Sequence, residues 1–213
     1  MSSERSPALA RICAAAAEHF SEVGYEGASL NEIALTVGIR KPSLYSHVTG
    51  KDELYLMVLE DAARIESTFA QNTLDCAPGP DGPGAEYASV VAARFAASVH
   101  LRLLLRCAYI APQIHEAAIC TMFEHFLDVL RDGFVRQLGE AFPGMEADET
   151  SLYAEAWLGI IDSLFVDLFY AGGETMERRR AALWRLLGDS LELRSRSAVA
   201  NGQTKPKARP SKY

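Results

Sequence analysis

The chain has 213 residues, 49% of them hydrophobic and 23% charged, with a formal net charge of -7. That is enough apolar content for one sizeable core, or for a small domain beside a larger one, and the negative sign excludes a protein drawn to polyanions by its overall charge. No apolar run reaches the length of a membrane span: 158–169 is interrupted by Asp162 and Asp167, and no charged segment followed by an apolar one opens the chain, so a cytoplasmic protein without membrane contact is expected. Cys13, Cys76, Cys107 and Cys120 are scattered without C-x-x-C spacing. They read as buried thiols rather than as a zinc site or a disulfide frame.

The densest structural grammar lies between Ser29 and Tyr55. Ser29 and Glu32 have the S-x-x-E spacing of a capping box, so a helix starts there, and Leu30, Ile33, Ala34 and Val37 give it one buried face. Gly38 lets that helix stop and turn. Pro42 is tolerated in a first helical turn, so Lys41 to His47 reads as a second, short helix beginning at about Arg40. Thr49 and Asp52 form another cap, from which Leu54, Val58 and Leu59 begin an amphipathic run. A capped helix, a tight turn and a short helix with polar and basic exposed residues form a helix-turn-helix DNA reader.

On these residues, 12–60 resembles the DNA-binding domain of the tetracycline-repressor (TetR) family of bacterial transcription regulators. The segment AAAEHFSEVGYEGASLNEIA is similar to the family's first helix, Gly-Tyr/Phe turn and second helix. VGIRKPSLYSHV is similar to its turn and recognition helix, and GKDEL to the start of its fourth helix. Two positions depart from the pattern. Arg40 stands where a capping Ser or Thr is usual, which forgoes about 1 kcal/mol and adds a cation at the groove; Val48 stands where an aromatic usually packs. The resemblance implies a dimer that reads a palindromic operator on double-stranded DNA and responds to a small molecule.

The charge has to be local. Among residues 1–60 the cations are Arg5, Arg11, Arg40, Lys41 and Lys51, outnumbered by acids, yet the last three cluster around the expected recognition helix. Arg40 and Lys41 are placed for phosphate or a guanine edge, Ser43 and Tyr45 for phosphate or base acceptors, and His47 for the backbone. Pro42 offers an apolar surface to a thymine methyl. Ser29 and Lys51 are expected to meet phosphate at helix starts, while Leu44 and Val48 pack the head's core.

The rest is helical pattern broken at 77–85, 111–112, 142–148 and 171–174. Helices are expected over 51–75, 86–107, 116–141, 149–170 and 174–194, with a short helix or turn near 110–115. The expected fold is all-α: an N-terminal three-helix helix-turn-helix domain (1–50), a helical ligand-binding and dimerisation domain (51–195), and a basic, disordered tail (196–213), about nine helices in all. The run 149–170 is apolar nearly all round and so buried on more than one side. Leu158, Ile161, Phe165 and Leu168 on it, with Leu183, Leu187 and Leu191 on the next helix, are the expected homodimer interface, and Gly159 and Ser190 are small enough for close approach.

The middle helices are the expected effector pocket. Arg94, Ser98, Arg102 and Arg106 recur at spacing four as a solvated stripe, placing His100 inward. Phe95, Tyr109, Phe123, Phe126, Trp157 and Phe169 could supply an apolar wall. Asp162, an acid on a doubly buried helix, needs either an ionic partner or a function, and left unpaired it would favour a cationic ligand. His100, His115 and His125 lie on three segments, and neither a metal nor a cofactor is expected. The whole reads as a ligand-responsive regulator, a repressor above all, and not an enzyme. A constitutive DNA-binding or partner-recruiting protein without an effector is the alternative; a small helical enzyme would have only His100 with Asp162 to offer as a catalytic pair.

Overall fold

The structure is a computed structural model that describes residues 5–170 and 173–202. Among them are nine α-helices and one 3-10 turn: α1 Pro7–Gly27, α2 Leu30–Thr36, α3 Lys41–Leu44, α4 Lys51–Leu74, α5 Ala85–Ala97, α6 Val99–Tyr109, the 3-10 turn Gln113–His115, α7 Glu116–Ala141, α8 Ala147–Tyr170 and α9 Gly173–Gly202. The chain is all-α, as expected. No single helix among the described residues is long and apolar enough to cross a membrane.

Helix starts follow the side-chain chemistry, with two revisions. Ser29 Oγ accepts the Asn31 N–H at 3.3 Å, but the Ser29 N–H goes to His19 Nε2 at 3.2 Å rather than to Glu32, whose carboxylate lies 3.1 Å from the same nitrogen. The cap at Thr49 pairs with Glu53 instead of Asp52. The Thr49 N–H and hydroxyl donate to Glu53 at 2.5 and 2.6 Å and hold that carboxyl below its usual range.

The expected helix 86–107 is two helices, bent by 100° at Ser98. Glu66 is the cause. It lies on the α4 stripe of Leu59, Ala62, Ala63 and Ala70, is 1% exposed, and needs donors there. Arg94 supplies two, Nε at 3.0 Å and Nη2 at 2.8 Å, and the Ser98 hydroxyl a third at 2.7 Å. Ser98 is extended and its oxygen accepts the Leu101 N–H at 3.3 Å, so the residue that ends α5 also caps α6. The solvated stripe is therefore not formed. Arg94 and Ser98 turn inward, and Arg102 donates to the Phe95 and Ala96 carbonyls at 3.3 and 3.2 Å, satisfying the open end of α5.

Behind α4, helices α7 and α8 close a core in which Phe126, Phe134, Trp157 and Phe165 are fully buried. The α4–α5 loop is tied to it by Gln137, 3% exposed, whose Oε1 accepts the Gly84 N–H at 2.7 Å while Nε2 donates to the Leu74 and Cys76 carbonyls at 3.0 and 2.8 Å. Gly84 has φ +74, and a Cβ there would fall 2.2 Å from Trp157 Nε1, so no other residue fits. Helix α9 continues to Gly202, past the expected end at 194 and into the segment expected to be disordered; 203–213 lie outside the described residues. Cys13 and Cys107 are buried, whereas Cys76 and Cys120 are exposed.

Candidate nucleic-acid interface and the body behind it

The head is built from α1 to α3. Phe20, Leu30, Ile33, Ala34, Leu44, Val48, Leu54 and Tyr55 belong to the buried core, which holds α2 and α3 against α1 and the start of α4. Gly38, at φ +76, makes the turn, with the Ile39 N–H reaching back to the Ala34 carbonyl at 2.9 Å. Helix α3 is a single turn prolonged by the His47 N–H on the Leu44 carbonyl at 2.9 Å, so the segment to His47 is helical turn rather than a full helix.

With Leu44 and Val48 turned inward, Arg40, Lys41, Pro42, Ser43 and Tyr45 are exposed, and His47 and Ser29 are half-buried. Tyr45 is 48% exposed, and Lys41 Nζ stands 6.0 Å from its ring centroid. Arg40 is the N-cap of α3 but makes no side-chain cap bond. Among the described residues neither Arg40 nor Lys41 has an ion-pair partner. Lys51 lies 4.4 Å over the Tyr25 ring and donates to the Glu26 carbonyl at 3.4 Å. The sequence-expected DNA contacts Arg40, Lys41, Pro42, Ser43 and Tyr45 are thus exposed together on one short segment, with the acids Glu18, Glu22 and Glu26 exposed on α1.

A junction that sequence reasoning missed joins head and body. Asp52, displaced from the Thr49 cap, accepts the Tyr25 hydroxyl and lies 2.9 Å from His115 Nε2. Those bonds hold the Asp52 carboxyl below its usual range and push the Tyr25 phenol up to about 12. The His115 ring lies 5.2 Å from Tyr25 and 5.6 Å from Tyr55, whose hydroxyl is 2.9 Å from Cys107 Sγ. Burial pushes that thiol up to about 11. Both ends of the α6–α7 connection therefore touch the head beside Lys51.

In the body the expected effector residues divide. Phe95, Tyr109, Phe123 and Phe126 join Phe165 and Phe169 in one aromatic ribbon with centroid spacings of 5.3 to 6.3 Å. Trp157 belongs to a second group, stacked on Phe134 at 4.8 Å. His100 joins neither: it lines a crevice of about 230 Å³ with Arg5, Cys13, Asp61 and Arg64, and burial holds its pKa below the ordinary value. Asp162 is exposed and accepts the Tyr109 hydroxyl at 2.5 Å, so the His100–Asp162 pair is not brought together. The buried acid of α8 is Asp167, bonded to Arg179. No group of three His, Cys, Asp or Glu that could hold a metal occurs among the described residues.

The expected dimer residues are also reassigned. Leu158, Ile161, Phe165, Leu187 and Leu191 are buried within the protomer, and Leu168 and Leu183 partly so, because α8 and α9 spend those faces on their own core. The outward stripe is Leu152, Ala156 and Gly159 on α8 with Leu186 and Ser190 on α9, Leu152 and Leu186 each being 67% exposed.

A compact helix-turn-helix head with a free cationic edge, carried on an all-helical body, defines the helix-turn-helix class of DNA-binding regulators. Residues 12–58 match the bacterial regulatory proteins, tetR family. Over 50 residues the chain is 46% identical to the HTH-type transcriptional activator FasR of Mycolicibacterium smegmatis, covering 24% of this chain and 23% of that protein. Over 56 residues it is 39% identical to the HTH-type transcriptional repressor AcnR of Corynebacterium diphtheriae, covering 26% and 30%. The similarity thus spans about a quarter of the length of these relatives. The fatty acid degradation regulator FadR from Bacillus halodurans matches in fold with a TM-score of 0.64 at 14% identity, over 87% of this chain and 96% of that one. A TetR-family regulator from Agrobacterium tumefaciens matches with 0.63 at 16%, over 85% and 96%. At these identities the likeness is one of fold.

Proposed function

We propose that this protein is a ligand-responsive transcriptional repressor that binds a palindromic operator as a homodimer and is released by a small, largely hydrophobic molecule. The observation that carries the reading is the exposed edge Arg40–Tyr45, whose two cations have no carboxylate partner among the described residues of a protein of net charge -7. An acidic protein that keeps such a cluster unneutralised does so for an anion. One head has too few base contacts for useful specificity, and the apolar stripe Leu152, Ala156, Gly159 and Leu186 fits a two-fold partner that brings a second head to the next major groove. Ligand in the body would act through its differential affinity for the two head spacings, with no covalent chemistry. FasR is an activator and AcnR a repressor by name.

The test is fluorescence anisotropy with DNA flanking the protein's own gene, over a salt series. Arg40, Lys41 and Lys51 from each of two heads predict a log–log salt slope of about -5, and Lys41→Ala should reduce its magnitude by about 2. Tyr45→Ala should lower affinity for the palindrome over scrambled DNA. Weak binding that ignores sequence and both substitutions would refute the operator role.

A further inference from the structure

Trp157 carries the least explained polar atom of the body. Its ring is fully buried, yet Nε1 has no hydrogen-bond partner among the described residues. An indole N–H can only donate, and a buried donor left unmade is a defect that native proteins rarely keep without a use. Against it stands the backbone of Gly84, at the end of the turn Gly79–Gly84, whose Gly82 N–H closes on the Gly79 carbonyl at 3.0 Å. The far side of this turn is undercut by a crevice of about 350 Å³ between Pro80–Pro83 and the α9 residues Trp184, Leu187, Gly188 and Leu191, with Phe142 at its end. That volume lies at the lower end of the range for small-molecule sites, roughly 300–1,000 Å³. One hydrogen bond, from Trp184 Nε1 to the Asp81 carbonyl at 3.0 Å, spans from α9 to the turn. The chain's two tryptophans therefore flank one glycine- and proline-rich turn, the outer one bonded to it and the inner one left with a free donor beneath it.

We propose that this crevice binds an uncharged, flat, apolar small molecule bearing a hydrogen-bond acceptor, and that displacement of the Pro83–Gly84 segment seats the acceptor on Trp157 Nε1. The wall is aliphatic and aromatic, and the charged groups Asp81, Glu192 and Arg196 stand at the rim, so a formal charge on the ligand would find no buried partner. The anchoring bonds of Gly84 and Asp81 run to Gln137 and Trp184, on α7 and α9, so lifting the turn changes contacts of both helices. The α9 residues Trp184, Gly188 and Glu192 at the crevice are distinct from Leu186 and Ser190 of the outward stripe, with Leu187 between the two. As a regulatory site the crevice rests on the effector reading of the body; as a binding site it does not.

Prodan, a neutral naphthalene ketone whose absorption overlaps tryptophan emission, is the probe, with its propyl analogue lacking the carbonyl as control. Saturable prodan binding with a blue-shifted emission and quenched tryptophan fluorescence is expected, one per protomer. Gly188→Leu fills the crevice at a helix position where a Cβ meets nothing within 4 Å, and should weaken binding at least tenfold without harm to the fold. Trp157→Phe keeps the ring and removes the donor; it should weaken prodan by about 3- to 10-fold and leave the analogue unchanged. Absence of saturable binding, or binding indifferent to Gly188→Leu, overturns the proposal; equal loss for both probes in Trp157→Phe overturns the acceptor seat. Operator anisotropy separates the two readings. Prodan that binds at the crevice without altering operator affinity sinks the effector reading and leaves the site standing. Operator release that persists in Gly188→Leu does the reverse.

Discussion

The pair Glu66–Arg94 gives the sharpest energetic prediction. Arg94→Met removes both guanidinium bonds, of 3.0 and 2.8 Å, and leaves a carboxylate whose side chain is 2% exposed with the Ser98 hydroxyl at 2.7 Å as its remaining donor. Breaking a buried pair from one side costs about 3–5 kcal/mol, because the surviving charge is left without compensation. The Ser98 bond recovers part of this, and Arg94 is itself 25% exposed, so about 3 kcal/mol is expected. Against a total stability of about 5–15 kcal/mol that is a large fraction. With a urea slope of roughly 2 kcal/mol/M the midpoint should fall by about 1.5 M, read by far-UV circular dichroism at fixed protein concentration. Glu66→Leu in the same chain removes the stranded charge, and the double variant should return to within about 1 kcal/mol of wild type. A cost below about 1 kcal/mol for Arg94→Met, or a double variant no better than the single, would refute the account of the α5–α6 bend as organised by a buried carboxylate.

The remaining expectations are briefer. His115→Ala should weaken operator binding several-fold with an unchanged salt slope, because His115 fixes Asp52 and Tyr25 beneath Lys51 without meeting phosphate itself; an unchanged affinity removes it from that role. Burial holds His100 below its ordinary pKa, so the unfolded chain takes up a proton that the folded one refuses, and stability should fall as pH drops from about 6.5 toward 5. Urea midpoints at pH 7.5 and 5.5 should show this decline shrinking in His100→Gln. Leu186→Glu, at a 67% exposed position, should leave the protomer folded but give a monomer by light scattering, with operator affinity lowered roughly 10³-fold or more. Gly84→Ala combines a left-handed φ with a Cβ 2.2 Å from Trp157 Nε1 and should cost about 3 kcal/mol, whereas Gly38→Ala, with the same sign of φ and open space, should cost about 1.

The head was legible in the sequence because its signals are local. A serine cap, a glycine turn and a proline in the first turn each act within four residues, and Leu44 and Val48 alternate with the exposed Arg40–Tyr45 edge as the helical period requires. The body was legible as a run of helices, except that 86–107 is two of them, but not in partnership. Helix periodicity told that 158–169 is buried on two sides, yet it could not tell the protomer's own core from a second copy, so Ile161 and Phe165 went to the wrong neighbour. Glu66 did leave a trace, an acid on the stripe of Leu59, Ala62, Ala63 and Ala70. Read as a buried carboxylate, it demands donors and would have turned Arg94 and Ser98 inward. Asp52, Tyr25 and His115 left none, for they meet only through the fold.

Three polar anchor points, at Asp52, Glu66 and the Leu74 carbonyl, share one element. Helix α4 begins at Lys51 and Asp52 in the head, carries Glu66 under the α5–α6 bend, and ends at Leu74, whose carbonyl Gln137 holds beside the α4–α5 turn. Its 24 residues span about 36 Å. A rotation of roughly 5° about Glu66 would carry the Lys51 end by about 2 Å, given a rise of about 1.5 Å per residue. Apolar contacts along the rod tolerate such a tilt by sliding, whereas hydrogen bonds at 2.7 to 3.0 Å either hold or break. In the homodimer proposed above, two heads meeting successive major grooves about 34 Å apart would feel a displacement of that size doubled across the two-fold axis. Under the function proposed above, the polar groups that sequence periodicity handles worst are for that reason the ones on which coupling between body and head would depend.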